Sequence, residues 1–134
     1  MIGRAHLARG FTLLELMIVI SIIIILALIV LPKYNETVQA AKEATLRDNL
    51  HQMRKMIDQY AADKGRLPQS LDDLVTAGYL GKIPPDPMTG EPNWTPVWGE
   101  DPNSPEGGQG LVNVCSSSSD QSADGSPYND CSRW

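Results

Sequence analysis

The chain has 134 residues, with 16 acidic and 11 basic side chains and a formal charge of −5, which leaves room for one modest domain. That charge is uneven: residues 32–66 balance at +2, whereas residues 67–134 hold two basic and ten acidic side chains, a balance of −8. So acidic a C-terminal half lacks the basic footprint that nucleic acid requires, and it suits a soluble extracytoplasmic face or one that takes a cation.

The leading residues MIGRAHLARG carry Arg4 and Arg9, and residues 11–31 behind them are almost wholly Leu, Ile, Val and Met, with Ser21 as a small polar interruption. As a helix these 21 residues would span ~32 Å at ~1.5 Å per residue, matching the ~30 Å hydrocarbon core of a bilayer. The run is too long for the ~7–15 residues of a secretory h-region, and no A-x-A-like site follows it. It reads as one transmembrane helix, with the positive flank holding the N-terminus in the cytoplasm. Glu15 is the anomaly. An acid inside such a segment costs on the order of 3 kcal/mol. It can snorkel, or it can pair with a cation held at the same depth, for which a free α-amine at Phe11 is the nearest candidate.

Pro32 closes the apolar run and should kink or loosen a helix, because it lacks an N–H and its ring crowds the carbonyl of Leu28. Beyond it Leu46, Leu50, Met53, Ile57 and Tyr60 recur at helical spacing between charged and amide residues. The helix is therefore expected to resume as an amphipathic segment over residues 32–65, with Gly65 as its C-cap. Residues 66–80 read as a short second helix with Ser70 as N-cap and Gly78 as its stop. Asp72 and Asp73 fall in its first turn, where capping and dipole chemistry explain them better than a metal does. From Ile83 the texture changes to proline-rich turns. Trp94 to Trp98 reads as a strand that Pro96 confines to a sheet edge, its two tryptophans pointing the same way as lids over the core rather than as a platform for stacking a ligand. Residues 101–110 form a loop, and residues 111–115 are the best strand in the chain.

Cys115 and Cys131, lying beyond a membrane anchor, suggest an oxidising compartment and one disulfide closing a polar loop of fifteen residues; two independent thiols are the plain alternative. Within that loop Asp120, Ser122, Asp124, Ser126 and Asp130 offer the hard oxygen ligands that calcium takes, although the spacing is not that of an EF-hand and a solvated loop accounts for the same residues. Zinc and c-type haem have no ligand pattern: His6 and His51 lie far from the cysteines, and neither CxxC nor CxxCH occurs. No nucleophile motif or phosphate-cradling loop is present, so no catalytic residue is assigned.

The string Gly10-Phe11-Thr12-Leu13-Leu14-Glu15 behind a basic leader, followed by an uninterrupted apolar run, resembles the prepilin signal of type IV pilins and type II secretion pseudopilins. The head, with Asp63-x-Gly65-x-x-Pro68, Gly78-Tyr79-Leu80, Ile83-Pro84-x-Asp86-Pro87 and the ending Asp124-Gly125-Ser126-Pro127-Tyr128, is similar to that of the major, G-type pseudopilin. The resemblance implies an α+β, pilin-like fold. Its parts would be a cleaved leader (1–10), a transmembrane and filament-core helix (11–31), an amphipathic continuation (32–65), and a small head (66–134) with a short antiparallel sheet and a long ordered C-terminal loop.

It also implies a life history. Prepilin peptidase would cut after Gly10 and Phe11 would be N-methylated. Glu15 would then pair with the new terminus of a neighbouring copy. The chain would wait in the bacterial inner membrane, engage an assembly platform and minor pseudopilins, and polymerise into a periplasmic or extracellular filament that helps drive folded proteins across the outer membrane. Calcium in the C-terminal loop, near Asp120 and Asp124, belongs to the same expectation. Two departures stand out: Met88-Thr89-Gly90 replaces the usual W-G-N-like turn, and the Cys115/Cys131 pair is similar to the closed loop of type IV pilins. A type IV pilus subunit serving adhesion, motility or DNA uptake is therefore the second reading, and a tethered extracytoplasmic binding protein the third.

Overall fold

In the computed structural model, which describes residues 10–134, α1 (Leu13–Lys64) and α2 (Leu71–Thr76) precede β1 (Thr95–Glu100) and β2 (Gln109–Cys115). Arg4 and Arg9 of the expected leader lie outside the described residues. The chain divides into two compact units, one ending at Gln39 and one comprising Ala40–Trp134; the boundary falls inside the segment expected to be the amphipathic continuation.

Over residues 16–31 of the first unit the helix is apolar on every side but for Ser21. A helix of that kind belongs in lipid or in the core of an assembly, and none of this stretch is buried within the chain. Seventeen large apolar side chains between Phe11 and Leu31 stand exposed, the least of them Val19 at 44%. At roughly 1.5 kcal/mol or more per side chain, leaving them in water would cost on the order of 25 kcal/mol, far beyond what a small domain's net stability could offset. Lipid or other copies must cover them. Ser21, the polar interruption, turns its hydroxyl back to the Met17 carbonyl at 2.8 Å, so it adds no unsatisfied group to the apolar surface. The helix continues through Pro32 without a break, so the proline does not end it.

In the second unit the expected seam is the core. Leu46, Leu50, Met53, Ile57 and Tyr60 are all buried and pack with Leu67, Leu74, Trp94, Leu111, Val114, Tyr128 and Trp134. Gly65 ends α1 at φ +68°, its N–H reaching the Ala61 carbonyl, a left-handed position that glycine occupies without strain. Ser70 caps α2 by accepting from the Asp73 N–H, and Asp73 reaches back to the Gln69 N–H at 2.8 Å. Asp73 is thus engaged in capping, as its place in the sequence suggested.

β1 and β2 pair antiparallel, and the pairing shifts between Val97 and Trp98. This corrects the expectation that Trp94 and Trp98 share a core-facing side. Trp94 precedes β1, lies buried and donates its indole N–H to the Pro84 carbonyl at 2.7 Å. Trp98 is half exposed. Strict alternation fails because Trp94 is not part of the strand and Val112 has no partner in the register. β2 is held from both sides. Arg54 donates from Nε to Asn113 Oδ1 and from Nη2 to the Val114 carbonyl, and partial burial pulls its pKa down. Gly110 permits close packing, since a Cβ there would stand 2.4 Å from that of Leu67.

Candidate functional site

The segment expected to be processed has a distinct local structure. Gly10, Phe11 and Thr12 are non-helical and exposed, and α1 begins only at Leu13. Thr12 sets that start. Its hydroxyl accepts the Glu15 N–H at 3.1 Å and its carbonyl accepts the Leu16 N–H at 3.1 Å, the two bonds of an N-cap. Thr12-Leu13-Leu14-Glu15 is the S/T-x-x-E pattern of a capping box, a signal that the reading of Glu15 as an anomaly passed over. The helix dipole favours an acid in this first turn, but the cap itself uses only the backbone N–H of Glu15. Its carboxylate has no partner among the described residues. The peptide bond after Gly10 therefore sits in exposed, non-helical chain, three residues before the start of the helix, with an unengaged acid one turn inside it.

The second place of interest is the C-terminal loop. Cys115 and Cys131 are joined in a disulfide, as expected. Inside it Ser122 and Ser126 form a tight turn, the Ser122 N–H donating to the Ser126 carbonyl at 2.9 Å, with Gly125 at φ +84°. Asp124 is the hub of that turn: it accepts from the Ser122 and Ser126 hydroxyls, the Ser126 N–H and the Arg133 guanidinium. The Ser122 hydroxyl first, then the Ser126 groups, with a smaller contribution from Arg133, hold its carboxyl well below the usual carboxylate range. Ser132 does the same for Asp130 through its hydroxyl and N–H. Arg133 is a partner that sequence reasoning missed, because nothing local marks it.

These residues do not fit a calcium ion as they stand. Asp124 already receives four donors including a cation, whereas calcium wants six to eight oxygens facing inward. No group of three His, Cys, Asp or Glu among the described residues could hold a metal. The Met88-Thr89-Gly90 turn is organised by Asp86 instead. That fully buried carboxylate accepts the Ser116 hydroxyl at 2.5 Å and the Met88 N–H at 2.9 Å, while the Asp86 backbone carbonyl accepts from Thr89 and Gly90. Asp86 thereby ties the proline-rich turn to the foot of the loop. At the far end Tyr128 donates to Glu43 on α1 at 2.8 Å and stacks on Trp134, over which Arg47 lies at 4.5 Å.

A depressed Asp124 pKa makes the loop acid-sensitive with a definite sign. The group's folded pKa lies below its unfolded value of about 3.9, so its stabilisation is present above about pH 4 and fades as pH falls further. The melting temperature of the wild type should therefore drop more steeply on going below about pH 4 than that of Asp124→Asn, measured by circular dichroism with the chain in detergent. Parallel curves would mean that Asp124 makes no net contribution.

Together, an all-apolar helix with an acid in its first turn and a disulfide-closed acidic head define a membrane-anchored α+β protein of pilin type. The family described as the prokaryotic N-terminal methylation motif matches residues 6–31. Competence protein ComGC of Halalkalibacterium halodurans is 36% identical over 75 residues, 56% of this chain and 74% of that protein. The type II secretion system core protein G of Klebsiella michiganensis is 32% identical over 104 residues, 66% of this chain and 73% of that protein. A fimbrial protein, EcpC of Eikenella corrodens, is 42% identical over 75 residues but aligns over only 47% of its own length. No solved structure is a significant match. The chain belongs to the superfamily of type IV pilins and type II secretion pseudopilins, and it resembles the G-type members over most of their length.

Proposed function

We propose that the chain is the major pseudopilin of a type II secretion system, a structural rather than catalytic subunit. The observation that carries this is the extent of the likeness to core protein G: it covers 66% of this chain and 73% of that protein, far more than the methylation signal at residues 6–31 alone. On this reading the N-terminus starts in the cytoplasm and the head is exported. Prepilin peptidase cuts after Gly10 and Phe11 is N-methylated. Glu15 neutralises the new terminus of an adjacent copy within the filament core, and the assembly platform and minor pseudopilins guide polymerisation. Pro32 gives the helix a place to bend where its hydrogen-bond ladder lacks a donor. The polymer then pushes folded proteins towards the outer membrane. The disulfide is the main staple of the C-terminal loop, and Asp124 organises the Ser122–Ser126 turn inside it.

Intact-mass analysis of the exported protein tests the processing. The expected chain begins at Phe11 and carries the mass of one added methyl group. A mass that retains MIGRAHLARG would favour a tethered binding protein that keeps its anchor in the bilayer.

One observation favours a second reading, a type IV pilus subunit: the disulfide-closed C-terminal loop, together with the likeness to a fimbrial protein. Deleting the chain's gene separates the two readings. Loss of enzyme secretion with intact surface fibres supports the first, and loss of fibres with normal secretion supports the second.

A further inference from the structure

Among the described residues, the large apolar side chains left exposed outside residues 11–34 are Trp98, half exposed, and Val112. Both sit at the irregularity of the β1–β2 pairing. The register passes from Val97 opposite Asn113 to Trp98 opposite Leu111, which leaves Val112 without a partner. Bulges of this kind re-aim side chains. A Cβ at position 99 would stand 2.9 Å from Val112 Cγ1, so the Val112 side chain covers Gly99, and only a residue without a side chain fits beneath it. Trp98 and Glu100, two apart on β1, then share one outward face. Glu100 has no ion-pair partner among the described residues.

The same unit carries a feature of opposite character. Gln52, Lys55 and Met56 of α1 and the segment Tyr79, Leu80 and Gly81 line an open groove of about 360 Å³. Met56, Tyr79 and Leu80 are half-buried against the core and give it an apolar floor. Lys55 on its wall and Lys82 beside it are exposed and without an ion-pair partner among the described residues. One face thus offers an indole flanked by an acid, and the other an apolar groove flanked by two cations.

We infer that these are the two halves of a contact between copies of this chain, Trp98 of one seated in the Met56–Leu80 groove of the next, with Glu100 facing Lys55 and Lys82. A filament requires such a contact, because an open helical polymer needs two different surfaces on each copy. Tryptophan is also the residue most often found to dominate interface energy. A lysine over an indole face adds a cation–π contribution. The inference rests on the filament reading.

A photo-crosslinker tests it directly: p-benzoylphenylalanine in place of Trp98, in the full-length chain polymerising in cells. The expected product is a dimer of this chain whose crosslinked peptide contains residues 52–56 or 79–82. A crosslink confined to another protein, or to lipid, overturns the contact.

Charge exchange is the second measurement. Glu100→Lys alone, and Lys55→Glu with Lys82→Glu, should each lower polymer yield about tenfold, and combining all three should restore most of it, as expected for coupled charges. Triple-variant yield no better than the worse parent overturns the contact. If the wild type forms polymer and Trp98→Ala matches it, the contact fails and the filament reading stands. If the wild type forms none, both fall.

Discussion

Replacing Glu15 by alanine should leave cleavage after Gly10 unchanged and nearly abolish incorporation into polymer. On the proposed reading, cleavage concerns residues 10–12, which are exposed and non-helical, and alanine leaves the Thr12 cap in place because its two bonds use the backbone N–H of residues 15 and 16. Assembly is different. On the proposed reading, the apolar faces of neighbouring copies close on one another and the terminal ammonium of Phe11 leaves water, with a carboxylate such as Glu15 to neutralise it. Removing one partner of an ion pair in such surroundings costs roughly 3–5 kcal/mol, or about two to three and a half decades in the association constant at 1.4 kcal/mol per decade. Glu15→Gln should behave like alanine, since an amide cannot neutralise the amine. Glu15→Asp should recover part of the loss. The measurement is the ratio of sheared filament to membrane-retained processed chain on immunoblots. A Glu15→Ala chain that is processed and assembles at the wild-type ratio would refute the pairing and leave Glu15 only the favourable place of an acid in the first turn of a helix.

What the sequence revealed here, and what it hid, follows from the range of the interactions concerned. The core seam was legible because Leu46, Leu50, Met53, Ile57 and Tyr60 mark one face of one helix, and all five are buried. Gly65 and the Ser70 cap were legible for the same local reason. The outward turn of Trp98 was not, because it depends on where β2 slips past β1 at Val112, and pairing register is a long-range property. Equally hidden were Arg54 reaching Asn113, Ser116 reaching Asp86, and Arg133 reaching Asp124. In the N-terminal segment Glu15 is conspicuous for its charge, whereas the cap rests on Thr12, three residues earlier, whose hydroxyl accepts the Glu15 N–H. In the C-terminal loop, composition shows five oxygen-bearing side chains in alternation, but not that Asp124 is engaged by Ser122, Ser126 and Arg133.

That loop gives the second large effect, on the stability of the head. Reducing the Cys115–Cys131 disulfide frees a loop of sequence separation 16, and the chain-entropy estimate for closing such a loop is ~3 kcal/mol. For a head of this size, about 4–8 °C of melting temperature per kcal/mol gives a fall of roughly 12–24 °C. The loss should reach the core, since Cys115 lies at the end of β2 beside Val114, the loop carries Tyr128 into the main cluster, and Trp134 follows three residues after Cys131. The Asp124–Arg133 pair cannot replace the bond, because an exposed ion pair contributes little on its own. Chelator alone should leave the melt unmoved, since a ligand that stabilises only the folded state must shift it when removed. The four-way comparison of untreated, chelated, reduced and doubly treated chain therefore separates the staples. A fall with chelator equal to that with reductant would show a cation holding the loop after all, and would require Arg133 to move off Asp124 to admit it. Cys115→Ala with Cys131→Ala should reproduce the reduced melt, and a double variant as stable as the wild type would move the loop's anchorage to Tyr128, Glu43 and Trp134.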